Sequence, residues 1–294
     1  MTTQPHTTAE LTQSFAWCER LARREARNFY HAFRVLPSAQ RQAMCALYAF
    51  LRLTDDLSDG PGSCAEKREL LDDWQSRLDD ALNGKASHPM HPAFRHTANT
   101  YGIPRQYFDE ALNGVRMDLD ISRYRTFDEL YRYCYRVASV VGLACIHIWG
   151  FEDEAAKEYA EKAGIAFQLT NILRDLMEDI GRDRVYLPQE DLERFRYGEE
   201  ELRRGDYNER FRSLMRFEVD RARRFYIESE PLSHCLQPAG RAVFRVMSRT
   251  YRGLLEEIER RAYDVLSSRV QLSRWQKIRF TLSALPVRWG WFAE

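Results

Sequence analysis

Asp175, Glu178 and Asp179 crowd onto nearly one side of a helical stretch, NILRDLMED (residues 171–179). Like charges four apart destabilise a helix. Such a cluster is therefore a solvated face or a point that needs several anionic oxygens at once. At about 100° per residue, Gln168, Asn171, Asp175, Glu178 and Asp179 make one polar stripe, with Ile165, Leu169, Ile172, Leu173, Leu176 and Ile180 opposite. Lysine partners four residues away, which a solvated face would use, are missing from the stripe, and amides continue it toward the helix interior. A second acidic segment, ALYAFLRLTDDLSDG, sets Asp55 and Asp59 on one face with Asp56 beside them, at the end of an apolar run from Ala46 to Leu53. Each segment alone reads equally well as a solvated helix end. Together, with arginines nearby, they make an oxygen-donor site suited to Mg2+, which is usually held by one or two carboxylates plus waters and phosphate oxygens. Such a site makes a diphosphate into a leaving group.

The elements that position these segments are helices. Apolar residues recur at helical spacing, and strand-like alternation is scarce. The pattern predicts helices at 10–33, 38–59, 65–83, 104–113, 127–150, 153–182, 190–194, 208–228, 237–266 and 272–283, with breaks at LPS, DGPG, YGIP and YLPQED. The 294 residues contain no Gly/Ser tract or Pro-rich spacer, so they read as one all-α domain of about ten helices around a central cavity. We divide the chain into a flexible N-terminal segment (1–14), the domain (15–283) and a C-terminal tail (284–294).

Forty-four basic and 44 acidic residues cancel, so no global field draws the chain to nucleic acid. Six cysteines without metal spacing read as free thiols of a reducing cytoplasm. His88 and His91 fall in SHPMHP, where the prolines suggest a loop and no further ligands stand nearby. The first residues have neither a basic n-region nor an apolar core, and no run is long enough to span a bilayer. We therefore expect a cytoplasmic protein. Its tail, with Trp289, Trp291 and Phe292 near Arg288, suits a peripheral contact at the inner face of the membrane or packing on the domain.

At these residues the chain resembles the squalene/phytoene synthase family, which joins two prenyl diphosphates head to head. DDLSD and DLMED match the family's paired Asp-rich motifs. ARNFYHAFRVLP, ALYAFLRLTDD, YCYRVASVVG, FQLTNILRDLMEDIGRDRVYLPQEDL and, less specifically, YRGLLEEIERRAYDV match in order, from about Phe15 to Ile278. The resemblance implies an isoprenoid synthase fold and Mg2+ (or Mn2+) bridging diphosphates to Asp55, Asp59, Asp175 and Asp179, with Asn171 beside them. It implies diphosphate contacts from Arg27, Arg52 and Arg184, and a pocket lined by Tyr48, Gln168, Asn171 and Arg174. Tyr133 stands where the family has a tyrosine thought to assist proton removal or guide the cation; a buried aromatic core residue is the bland reading. Arg136 and Ser139 depart from an aromatic and a glycine common in the family, Ser139 bearing on helix packing and Arg136 pointing to solvent.

The leading expectation is joining of two farnesyl diphosphates to presqualene diphosphate or squalene, with NADPH as reductant if squalene is the final product. The alternative is phytoene synthesis from two geranylgeranyl diphosphates. A third reading, of another class, is a non-catalytic isoprenoid-binding or assembly protein.

Overall fold

The amphipathic stripes fold as helices because each buries one face against another helix. The computed structural model describes residues 7–26, 30, 32–273, 276 and 280. In chain order the helices are α1 (Thr8–Glu25), α2 (Ser38–Asp59), α3 (Cys64–Leu82), α4 (His91–Thr100), α5 (Arg105–Asp120) and α6 (Phe127–Cys134). A π-helical turn (Tyr135–Ser139) leads into α7 (Val140–Trp149). There follow α8 (Ala155–Gly181), α9 (Gln189–Arg194), α10 (Glu199–Arg204), α11 (Glu209–Glu228), α12 (Leu232–Cys235) and α13 (Pro238–Arg260). Among the described residues no strand forms; the only extended pairings are isolated bridges, Arg123 with Val185 and Phe151 with Leu236.

The longest helix, α8, is the centre of the molecule. It packs against α11, α7, α13 and the π turn. The π turn is wedged between two glycines. A Cβ on Gly164 of α8 would lie 2.4 Å from Ser139 Cα, and one on Gly114 of α5 would lie 2.9 Å from a Val137 methyl. Ser139 is buried and donates its hydroxyl to the Glu161 carbonyl at 2.8 Å, a packing role. Arg136 does not point freely to solvent: its Nε donates to Glu110 at 2.8 Å.

Several boundaries differ from the sequence pattern, each for a local reason. The segment read as flexible is helical from Thr8, because Thr7 and Glu10 form a capping box. SHPMHP does not stay a loop: His91 opens α4, whose first turn accommodates Pro92 because its missing amide is not needed there. Helix α5 runs on through Gly114, which is present for close packing rather than as a breaker. Left-handed residues Ala262 and Tyr263 stop α13 short of residue 266. The tail, and most of the predicted 272–283 helix, lie outside the described residues.

Candidate active site

Facing surfaces of α2, the π turn with α7, α8 and α13 enclose a cavity of about 600 Å³. Its walls change character along each helix. On α2 the lining passes from Met44 and Leu47 to Arg52 and Asp55; on α8 it passes from Ala160, Ala163 and Gly164 to Gln168, Asn171 and Arg174. From Ala160 to Arg174 the wall extends about 21 Å at 1.5 Å per residue. A charged mouth above a long apolar body fits an anionic head on a hydrocarbon tail.

At the mouth, Asp55 is accessible yet sits in a concave wall with protein on most sides. Loss of hydration first, and the charge of Asp59 second, push its carboxyl up to about 7, against partial relief from Arg52. Burial and then Asp175 push Asp179 to about 7 as well, with Arg184 and Arg182 opposing. The ends of the two Asp segments face each other: Asp55 lines the same cavity as Asn171 and Arg174, and Arg182, just past the second segment, lies 4.0 Å from Asp59 of the first. Asp175 differs. Arg174 forks onto it at 2.8 and 2.5 Å, and Arg269 Nε donates to it at 2.9 Å. Arg52 pairs with Asp56 at 2.5 Å.

Tyr48, Arg52, Asp55, Gln168, Asn171 and Arg174 line the cavity; Asp59, Asp175, Asp179 and Arg184 stand beside these residues rather than among them. Arg27 lies outside the described residues. Tyr133 is buried, one turn before the lining residue Val137. Its hydroxyl lies 3.2 Å from both Asp118 Oδ2 and Tyr186 Oη, so its single proton is shared between the two acceptors, and Tyr186 donates to Asp118 Oδ1 at 2.9 Å. Burial, then the charge of Asp118, hold the Tyr133 hydroxyl well above the usual phenol range.

Asp118, Tyr251 and Arg269 escaped the sequence reading. Asp118 had a signal, being an acid three residues past Val115 on the buried stripe of α5. Tyr251 lines the cavity, stacks on Phe167 at 4.5 Å and hydrogen-bonds Asn171. Arg269 had none, since it follows α13 in irregular chain and reaches Asp175 only through the fold.

The donor set is carboxylate and amide oxygen, which suits Mg2+ or Mn2+ rather than a thiolate- or imidazole-seeking metal. Burial first, and neighbouring carboxylates second, raise both Asp55 and Asp179 to about 7, against nearby arginines. Among the described residues no three His, Cys, Asp or Glu side chains converge on one point. The residues fit an ion that takes its remaining ligands from water and phosphate.

The family model for squalene/phytoene synthase matches residues 22–276. The chain belongs to this family. Its members join prenyl diphosphates head to head, and the chain is an enzyme of that prenyltransferase type. It is 39% identical over 285 residues to the phytoene synthase of Arthrospira platensis, covering 92% of each chain. It is 37% identical to the 15-cis-phytoene synthase of Synechocystis sp., over 96% of this chain and 86% of the relative. A ligand complex of a dehydrosqualene synthase superposes with a TM-score of 0.85 at 28% identity, over 94% of this chain and 96% of that one. A squalene synthase from Alicyclobacillus acidocaldarius gives 0.82 at 27% identity, over 87% and 97%. The all-α isoprenoid synthase fold is thereby established. No described helix is long and apolar enough to cross a membrane.

Proposed function

We propose that this protein condenses two geranylgeranyl diphosphates to phytoene. The observation that carries the reading is the meeting of both Asp segments at the mouth of one deep apolar cavity. The choice of twenty carbons is supported by the phytoene synthases among its relatives, at 39% and 37% identity. The fifteen-carbon reading favoured by the motifs is thus the second choice. It draws support from the dehydrosqualene and squalene synthases among the structural neighbours, at 28% and 27%. A non-catalytic role fits poorly, because clustered carboxylates carry a repulsion that a scaffold has no reason to retain.

In this reading Asp55, Asp59, Asp175 and Asp179 would hold Mg2+, with Arg174 and Arg269, which pair with Asp175, beside them. The metal, when bound, supplies charge neutralisation for the departing diphosphate. Arg52, Arg174, Arg184 and Arg269 bind diphosphate oxygens, a preorganised stabilisation of developing negative charge. Leu47, Val141, Ile146 and Phe167 exclude the water that would quench the allylic cation. The second prenyl chain's double bond attacks that cation, and loss of a proton closes a cyclopropane. Tyr133, Tyr186 and Asp118 form the hydrogen-bonded group that steers this step from behind the wall. A second ionisation, rearrangement and proton loss give phytoene without a reductant, whereas squalene would need hydride from NADPH.

Purified protein with Mg2+ is incubated with farnesyl or geranylgeranyl diphosphate, with and without NADPH, and the products are identified. Phytoene from geranylgeranyl diphosphate, independent of NADPH, is the expected result. Turnover of farnesyl diphosphate alone would establish the second reading, and turnover of neither the non-catalytic one.

A further inference from the structure

Between the second Asp segment and Tyr186 the chain turns sharply through Asp183, whose φ of 58° is left-handed. Residues with a Cβ disfavour that region, Asn and Asp least. The amides of Arg182 and Arg184 both bond back to the Asp179 carbonyl, at 3.0 and 2.9 Å.

The turn is gripped from outside. Arg123, on the link between α5 and α6, donates Nη1 to the Asp183 carbonyl at 2.5 Å and Nη2 to Asp183 Oδ1 at 2.9 Å. The same guanidinium bonds Glu199, at the start of α10, at 2.8 and 2.6 Å. Arg203, from the same helix, pairs with Glu199 at 2.7 Å and also with Asp183. Two cations and two anions thus alternate in a closed, neutral ring. The Val185 amide donates to the Ser122 carbonyl at 2.9 Å, which ties the backbone on the far side of the turn. With its side chain 22% exposed, Arg123 is partly desolvated, and a network of this kind holds geometry better than an isolated surface pair.

The turn carries two further cations. Arg182 lies 4.0 Å from Asp59, and Arg184 Nη2 donates to the Asp118 carbonyl at 3.2 Å, so both flank the aspartates of the mouth. None of Arg123, Asp183, Glu199 and Arg203 is on the cavity wall.

We infer that Arg123 and Asp183, closed by Glu199 and Arg203, form a clamp that holds turn 181–185 in the conformation presenting Arg182 and Arg184 to the substrate diphosphate. Its members are positioning residues, acting through those two arginines. The inference rests on the prenyl diphosphate reading of the mouth.

The test is binding of inorganic pyrophosphate with Mg2+ to the full chain by calorimetry, alongside KM and kcat for prenyl diphosphate. The variants are Asp183→Asn, Asp183→Gly, Asp183→Val and Arg123→Met. Asn tolerates the left-handed turn and keeps an acceptor, so it should bind as the wild type does. Val abolishes the turn conformation and Met removes the grip, so each should weaken pyrophosphate roughly tenfold and raise KM in parallel. Gly, which keeps the turn and loses the carboxylate, should fall between. A merely structural role would lower the melting temperature and leave the affinity and KM of the folded fraction unchanged, which would overturn the clamp. Should Asp183→Val fail to fold, Arg123→Met and Asp183→Gly give the same reading. Wild-type protein that ignores pyrophosphate would sink the diphosphate mouth and the clamp with it; equal binding by wild type and all variants would sink the clamp alone.

Discussion

Arg269 donates to Asp175 across 94 positions of the chain, closing on a carboxylate that Arg174 already grips from the neighbouring position. The leading aspartates of the two segments, Asp55 and Asp175, therefore begin from opposite electrostatic states. Asp55 is short of cations, and Asp175 is supplied with two. Asp55→Ala should hold or raise the melting temperature without Mg2+, because it relieves repulsion with Asp59. Asp175→Ala should lower stability by about 1–3 kcal/mol, because it leaves the largely buried Arg174 without its partner. Turnover should vanish in both. Thermal melts and a product assay check this, and a stabilised Asp175→Ala would contradict the account of its arginines.

Tyr133 bonds Asp118 and Tyr186, and in the proposed mechanism it acts on the reaction through them. Tyr133→Phe keeps the ring, its packing on Tyr186 at 5.1 Å and the cavity wall, so substrate should still bind. It removes one donor from Asp118, whose carboxyl burial already raises. The expected loss is on the order of 10²-fold in kcat with KM nearly unchanged. Normal turnover per folded molecule would make Tyr133 a core aromatic and nothing more.

The residues legible in sequence were those on regular helices. Spacing set Asp55 with Asp59 on one face of α2 and Gln168 and Asn171 with Asp175 on one face of α8, while the resemblance added Tyr48, Arg52 and Arg174; of these, Tyr48, Arg52, Asp55, Gln168, Asn171 and Arg174 line the cavity. Spacing could not say that α2 and α8 bring their ends together, since that depends on packing. Nor could it find Arg269, which lies in irregular chain with no periodicity to read. The helix predicted at 104–113 stops one residue before Gly114, whereas α5 runs on to Asp120, because that glycine serves close contact with Val137 and Arg136. The resemblance supplied family and fold but ranked the fifteen-carbon substrate first, as the motifs around the diphosphates are common to both branches. In the proposed reading chain length is chosen on the apolar wall, which the motifs do not include.

His91 bears on stability rather than chemistry. It is fully buried, its Nδ1 accepts the Ser87 amide at 3.2 Å, and burial, with His88 and Arg77 adding repulsion, lowers its pKa to about 4. Between that value and the unfolded value near 6.5 the unfolded chain binds the extra proton. Stability is therefore full above about pH 6.5 and falls as pH drops toward 4, by on the order of 3 kcal/mol from this group. Urea melts across that window should show the slope. His91→Gln, which keeps an acceptor and cannot titrate, should flatten it in part, with His88 supplying the remainder. An unchanged slope in the variant would exclude His91 as its source.

Trp149 is the residue that should set chain length. Ser139 meets Gly164 and Gly142 meets Ala160, so α7 and α8 run antiparallel, and Trp149 falls at the end of the cavity away from Asn171 and Arg174. Along the π turn and α7 the lining steps through Val137, Val141 and Cys145 to Trp149. The indole has little freedom to swing aside. A Cβ on Gly240 would lie 2.5 Å from Trp149 Cβ, Gln40 bonds the Trp149 carbonyl at 3.4 Å, and the residue is 3% exposed. Trp149→Leu and Trp149→Ala should deepen the apolar body and shift preference toward a prenyl chain one isoprene unit longer than the wild type uses. Shape differences in an apolar pocket are worth about 10–200-fold in kcat/KM, so a tenfold or larger change in the ratio is expected. The Ala variant should also lose about 3–5 kcal/mol of stability, partly offset because the Nε1 donor it removes has no partner among the described residues. The measurement is competition among fifteen-, twenty- and twenty-five-carbon diphosphates, with products sized by mass. The shift is counted from whatever length the wild type prefers, so it holds for either substrate reading. Identical length preference in both variants would remove Trp149 as the stop and leave the opposite wall, Phe244 and Met44, to supply it.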